Sequence, residues 1–110
     1  MIIEQKQDYT IITSEEDTFD GFFDVFSSKL EALKAQHLIL QVSENLNTSE
    51  KDISLFLNCA KEHRKNGMSF VVVCASVDND IFPEEFNIVP TFTEALDVIQ
   101  MEAIERDLGF

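Results

Sequence analysis

The sequence predicts an α/β fold in a single domain spanning residues 1–110, a mixed sheet with crossover helices. Three observations predict it. Short β-prone or continuously apolar runs alternate with stretches whose apolar residues recur every three or four positions. Alternation of that kind needs crossover connections, and therefore parallel strand pairs. A length of 110 residues suits one core and leaves no room for a second. Apolar residues make up 45% of the chain and ten residues are Phe, which supplies that core and separates the chain from disordered sequences.

The elements follow in order. Residues 2–5 and 9–13 are β-prone runs separated by Lys6, Gln7 and Asp8, which reads as a hairpin or a bent strand. From residue 15 the period changes: Phe19, Phe22, Phe23, Phe26, Leu30 and Leu33 form one face of a helix over 15–35. Thr13 with Glu16, or Ser14 with Asp17, has capping-box spacing for its start. Residues 37–42 have the near-continuous apolar character of a strand covered on both faces. After a polar loop, a helix over 49–66 turns Ile53, Phe56, Leu57 and Ala60 to one side. It ends in Lys61, His63, Arg64 and Lys65 before Asn66 and Gly67, a stop signal of cations followed by glycine. Residues 70–75 are the strongest strand signal and are expected centrally in the sheet, beside 37–42. Ile88 and Val89, closed by Pro90, suit an edge strand. Thr91 and Glu94 cap a last helix over 93–108, with Ala95, Leu96, Ile99, Ala103 and Ile104 expected inward. Gly109 ends it, and Phe110 is expected to pack back on the domain.

Charge narrows the function classes. Twenty-one acidic against eight basic side chains leave a formal net charge of −13. That field repels phosphate backbones and anionic membranes and favours a basic protein surface. The start of the chain lacks the basic stretch and apolar run of a signal peptide. The longest apolar run, 70–75, is far short of the ~20 residues that span a bilayer. A cytoplasmic protein is expected. Cys59 and Cys74 fall in a helix and a buried strand, as small core residues and not as a disulfide framework.

Catalytic patterns are not visible. Three glycines form no phosphate-binding loop, and there is no nucleophile elbow or Cys–His arrangement. His37 and His63 have no ligand-spaced partner. Asp78, Asp80, Glu84 and Glu85 lack the spacing and turn glycine of a calcium loop, so a solvated acidic loop is expected there. Metal-dependent hydrolysis of the ribonuclease Z type needs a His-rich HxHxDH motif and a far longer chain. Ser49 is an ordinary N-cap by position, and an exposed capping hydroxyl is also open to modification. The Phe-rich face of the first helix is expected as core and not as a binding groove, although Phe19, Phe22, Phe23 and Phe26 are bulky for a helix on a small sheet, which leaves room for an exposed patch.

One arrangement covers nearly the whole chain as a pattern. The apolar strand 37–42 leads through a polar loop to a helix opened by Leu46-Asn47-Thr48-Ser49. The basic helix end and glycine at 61–67 and the strand at 70–75 follow. Then come Phe86-Asn87-Ile88-Val89-Pro90 and Thr93-Glu94-Ala95-Leu96. This arrangement resembles a STAS domain, the fold of bacterial anti-sigma factor antagonists. Where the family has Asp-Ser-Ser/Thr-Gly, this chain has Asn47-Thr48-Ser49-Glu50. The resemblance implies a non-enzymatic interaction module of regulatory signalling. Its partner would be a protein such as a serine kinase with anti-sigma activity, and phosphorylation of Ser49 would break the complex. Asn47 stands in for the family's aspartate and Glu50 for its glycine. A phosphate on Ser49 would meet Glu50, Asp52 and Glu44 as like charges. The module reading expects no cofactor, no metal, no direct nucleic-acid binding and no membrane. The alternative is a small-ligand-binding α/β domain, or an accessory protein to an RNA-processing hydrolase without catalytic residues of its own.

Overall fold

A computed structural model describes residues 1–109. Strands β1 (Ile2–Gln5) and β2 (Thr10–Thr13) form an antiparallel hairpin closed by the Lys6 N–H bonded to the Tyr9 carbonyl. Helix α1 (Phe19–Leu33) returns the chain to β3 (Leu38–Gln41), parallel to β2. A 3₁₀ turn at Glu44–Leu46, α2 (Glu50–Ser54) and α3 (Leu57–Lys65) lead to β4 (Phe70–Val73), parallel to β3. A loop with a second 3₁₀ turn, Asn79–Ile81, carries the chain to β5 (Asn87–Val89), and α4 (Phe92–Asp107) follows. The sheet runs β1-β2-β3-β4-β5, with β4 and β5 also parallel. The radius of gyration is 13.1 Å, matching the ~13 Å of one compact domain of this length.

Period-two alternation along the parallel strands separates two cores. Ile12, Leu38, Leu40, Phe70, Val72 and Ile88 join Phe22 and Phe26 of α1 and Phe56 in the larger core. Ile39 and Val71 face the other way and meet Ala95 and Ile99 of α4. The result is a three-layer sandwich with α1, α2 and α3 on one side and α4 on the other. Among the described residues, no helix is long and apolar enough to cross a membrane.

Several expectations need correction. The first helix starts at Phe19, capped by Thr18, whose side chain accepts the Gly21 N–H. Neither proposed capping pair is used. Ser14 Oγ instead accepts the Ser43 N–H at 2.8 Å, and Glu16 holds the Met1 amino group at 2.6 Å. The helix expected over 49–66 is two helices. The middle strand is β3, not β4; β4 is interior, flanked by β3 and β5. The hairpin adds two strands beyond β3 and only β5 lies beyond β4, which moves the centre. The aromatic face of α1, by contrast, is core as expected and leaves no exposed patch: Phe19, Phe22 and Phe26 are buried, and Phe23 packs against them. Ile104 points to solvent, not inward. Phe110 lies outside the described residues.

The two glycine stops are in place. Gly67 has φ +77° and follows the end of α3, with its N–H on the Arg64 carbonyl and the Met68 N–H on the His63 carbonyl. That bond pair needs a left-handed residue, which glycine adopts without a Cβ penalty. Gly109 follows α4 at φ +84°, with its N–H on the Arg106 carbonyl.

Candidate functional site

The turn at 43–50 follows the C-terminal end of β3, the end at which open α/β sheets place their functional loops. Ser43 is tied by its N–H to Ser14 at the end of β2, and its Oγ accepts the Asn45 N–H at 3.2 Å. That bond opens the 3₁₀ turn, and buried Leu46 anchors it. Asn47 then reverses the chain with φ 53° and ψ 46°, its N–H bonded to the Glu44 carbonyl. Asn is among the few residues other than glycine that enter the left-handed region readily.

Thr48 is pulled inward to 8% exposure, and its Oγ1 has no hydrogen-bond partner among the described residues. Ser49 swings outward and is exposed. Its Oγ accepts the Asp52 N–H at 3.1 Å, and the Asp52 carboxylate accepts the Ser49 N–H at 3.2 Å. This reciprocal pair is a capping box and fixes the first turn of α2. The Ser49 Oγ spends one lone pair on the cap and keeps its proton free to donate. Around it stand exposed Glu44 and Glu50 and half-buried Asp52, with Lys51 as the single cation within residues 43–54. The structure thus gathers Asn47, Thr48, Ser49 and Glu50 into one short turn but gives them different surroundings: Thr48 is inside, and the other three are exposed.

A second polar cluster sits at the opposite end of the sheet, where the parallel strands begin. The Ser69 N–H donates to His37 Nδ1 at 2.9 Å, and Ser69 Oγ donates to Glu102 Oε1 at 2.5 Å. Asn87 Nδ2 donates to Glu102 Oε2 at 3.0 Å, and Arg106 Nη1 donates to Ser69 Oγ at 3.2 Å. Serine, histidine and glutamate meet here in the wrong order for nucleophilic catalysis. His37 receives a backbone N–H, so it does not take the serine proton, and the hydroxyl is spent on the carboxylate. Burial, reinforced by the Arg106 charge, holds the His37 imidazole below its ordinary value of 6.5. The cluster links the starts of β3, β4 and β5 to α4.

A groove of about 530 Å³ lies between the C-terminal ends of α1 and α3, lined in part by Leu30, Ala35, Cys59, His63 and Met68. Cys59 and His63 are one helical turn apart. Burial pushes the Cys59 thiol up, and burial also lowers His63 even though its Nε2 lies 2.7 Å from the Gln36 carbonyl. Both groups are therefore neutral near pH 7, the reverse of an activated thiolate–imidazolium pair. Cys59 and Cys74 are free thiols, Cys74 buried and Cys59 half-buried. In the acidic loop, Asp78 Oδ1 accepts the Asp80 N–H at 2.9 Å, a local turn bond. Among the described residues, no three His, Cys, Asp or Glu side chains assemble into a group that could hold a metal ion.

A scan against protein-family models and a search of curated proteins matched nothing to this chain.

Sequence reasoning located the turn at 47–50 and the cap at Ser49, because capping is a local signal of four residues. It missed the His37, Ser69, Glu102 and Arg106 cluster. The four-residue spacing of Glu102 and Arg106 on α4 was the one local hint. The remaining partners are brought together only by parallel strand register.

Proposed function

We propose that the chain is a protein-binding module of the kind the STAS resemblance implies, acting through the turn at 47–50 and catalysing no reaction of its own. The observation that carries this reading is the exposed, capping Ser49 hydroxyl on a turn held by Asn47 in a left-handed conformation. A kinase can reach such a hydroxyl, and the backbone around it is pre-set. A five-stranded mixed sheet, with a helix pair following the strand that leads into this turn, is consistent with the same reading. The partner is a protein with a basic surface, in the manner of a serine kinase with anti-sigma activity, because Glu44 and Glu50 are exposed beside Ser49. A phosphate at Ser49 adds about −1.5 to −2 charges within that acidic rim. The resemblance implies that this breaks the complex: the partner closes on the Ser49 hydroxyl itself, so an added charged group is excluded there, although the wider acidic rim attracts a basic surface.

The test uses two substitutions. Asp is as good an N-cap as Ser, so Ser49→Asp adds the charge while keeping the helix start. Ser49→Ala removes the cap without adding charge. Proteins retained from native extract by the wild-type chain and by Ser49→Ala, but lost with Ser49→Asp, support the switch. Retention unchanged by Ser49→Asp excludes it. A second reading, a small-ligand domain, draws on a groove of about 300 Å³ whose lining includes Tyr9, His37, Gln100 and Arg106. Its test is a shift of those amides on titration with a small-molecule library.

A further inference from the structure

We propose that the outward face of α4 is a docking seam for a basic amphipathic helix of a partner protein. The helix is apolar on two sides. Ala95 and Ile99 are buried against the sheet, while Met101, Ile104 and Leu108 are 61%, 60% and 66% exposed. Scattered exposed apolar side chains are ordinary. These three, however, recur at intervals of three and four residues. That spacing aligns them over roughly 10 Å at 1.5 Å per residue. It is the a-d-a spacing of a helix–helix seam, with Met101 and Leu108 at a and Ile104 at d.

The flanks select the occupant. In that register Glu105 is at e and Asp107 at g, the positions that set partner choice in helix pairing. Both are exposed, and exposed Glu94 and Asp97, which take the a and d positions one heptad before Met101 and Ile104, close the apolar run with charge toward the helix start. The one cation of α4, Arg106, is turned the other way and donates to Ser69 Oγ at 3.2 Å. The seam therefore has an acidic border with no basic side chain from α4. A partner helix carrying Lys or Arg at its own e and g positions matches that border. A second copy of this chain does not. It would set acid against acid between two bodies of net charge −13 each. An anionic membrane is repelled by the same charges.

The seam and the turn at 47–50 lie on opposite sides of the sheet. Docking on α4 is therefore independent of Ser49 and stands or falls separately from the phosphorylation switch.

The experiment titrates the ¹⁵N-labelled full chain with a synthetic helical peptide of about three heptads, carrying Leu at a and d and Lys at e and g. A matched peptide with Glu at e and g is the control. The expected result is amide shifts concentrated on residues 97–108 and at least about a tenfold loss of affinity in Met101→Ser and in Ile104→Ser. Neither substitution changes charge, so the loss separates the seam from general attraction to an acidic surface. The control peptide is expected not to bind. Equal affinity in the serine variants, or shifts spread over the whole acidic surface, overturns the proposal. So does a dimer in the wild type that becomes a monomer in Ile104→Ser, since a second copy would then be the occupant. A fall in the melting temperature of Ile104→Ser beyond that of ordinary surface substitutions also overturns it, because the seam would then serve the chain's own fold.

Discussion

Thr48 and Ser49 are adjacent hydroxyls with opposite energetics. A buried hydroxyl without a partner costs about 1–3 kcal/mol, and replacing it by a methyl of similar shape removes that cost. Thr48→Val should therefore leave the protein unchanged or up to about 2 kcal/mol more stable in urea unfolding; a clear loss would mean that Oγ1 is paired in solution. Ser49→Ala should lower stability by about 1 kcal/mol, the usual value of an N-cap. A negligible change in its denaturation midpoint would remove the capping role. The two hydroxyls were not equally legible in the sequence. The Ser49 cap rests on a four-residue local pattern, Ser49 with Asp52. The burial of Thr48 is set by the left-handed turn at Asn47 and by packing between distant segments, which no local window contains.

At the scale of elements, the helix pattern over 49–66 was visible but its break was not. Leu55 and Phe56 donate their N–H groups to the Asp52 and Ile53 carbonyls, three residues back, which tightens the chain into a short 3₁₀ step. The step re-aims α3 so that Phe56 enters the core while Leu55 stays 48% exposed. The Phe56 ring then lies 5.4–5.5 Å from the rings of Phe23, Phe19 and Phe26, and 6.3–6.4 Å from those of Phe22 and Phe70. Phe56 is thus where α1, the α2–α3 pair and β4 meet. Phe56→Ala should cost about 3–5 kcal/mol, and Leu55→Ala should stay within about 0.5 kcal/mol of wild type. Thermal melts of the two variants side by side check this, and similar losses would contradict the inward and outward placement that the step gives Phe56 and Leu55. The start of α1 was misplaced for a related reason. Thr13 and Ser14 have capping chemistry, but Thr13 ends a strand and Ser14 is taken by Ser43, so Thr18 caps the helix.

For the whole molecule, the two histidines couple stability to pH. Both are held below the ordinary value of 6.5, chiefly by burial, with Arg106 adding to the effect at His37 and Glu102 opposing it. The unfolded chain therefore binds protons below about pH 6.5 that the folded chain refuses, so stability rises with pH across that window. The contribution is fully present above pH 6.5 and is lost as pH falls through the folded-state values. Urea unfolding should give a lower midpoint at pH 5.5 than at pH 7.5. His63→Gln should flatten that difference, and an equal midpoint at both pH values in the wild type would exclude the coupling.

By itself the sequence determined the alternation of strands and helices, the edge position of β5, the caps at Ser49 and Thr91, the glycine stops at 67 and 109, and the turn that presents Ser49. Each depends on signals a few residues long: side-chain period, a capping hydroxyl, a glycine with left-handed freedom. Tertiary structure alone decided that β3 is the middle strand and that α4 lies opposite the other helices. It also decided that Thr48 is buried unpaired and that Ile104 faces water in line with Met101 and Leu108. These depend on which face of the sheet each crossover covers. A one-dimensional period shows that a helix has an apolar side; it does not show which of two apolar sides the sheet will take.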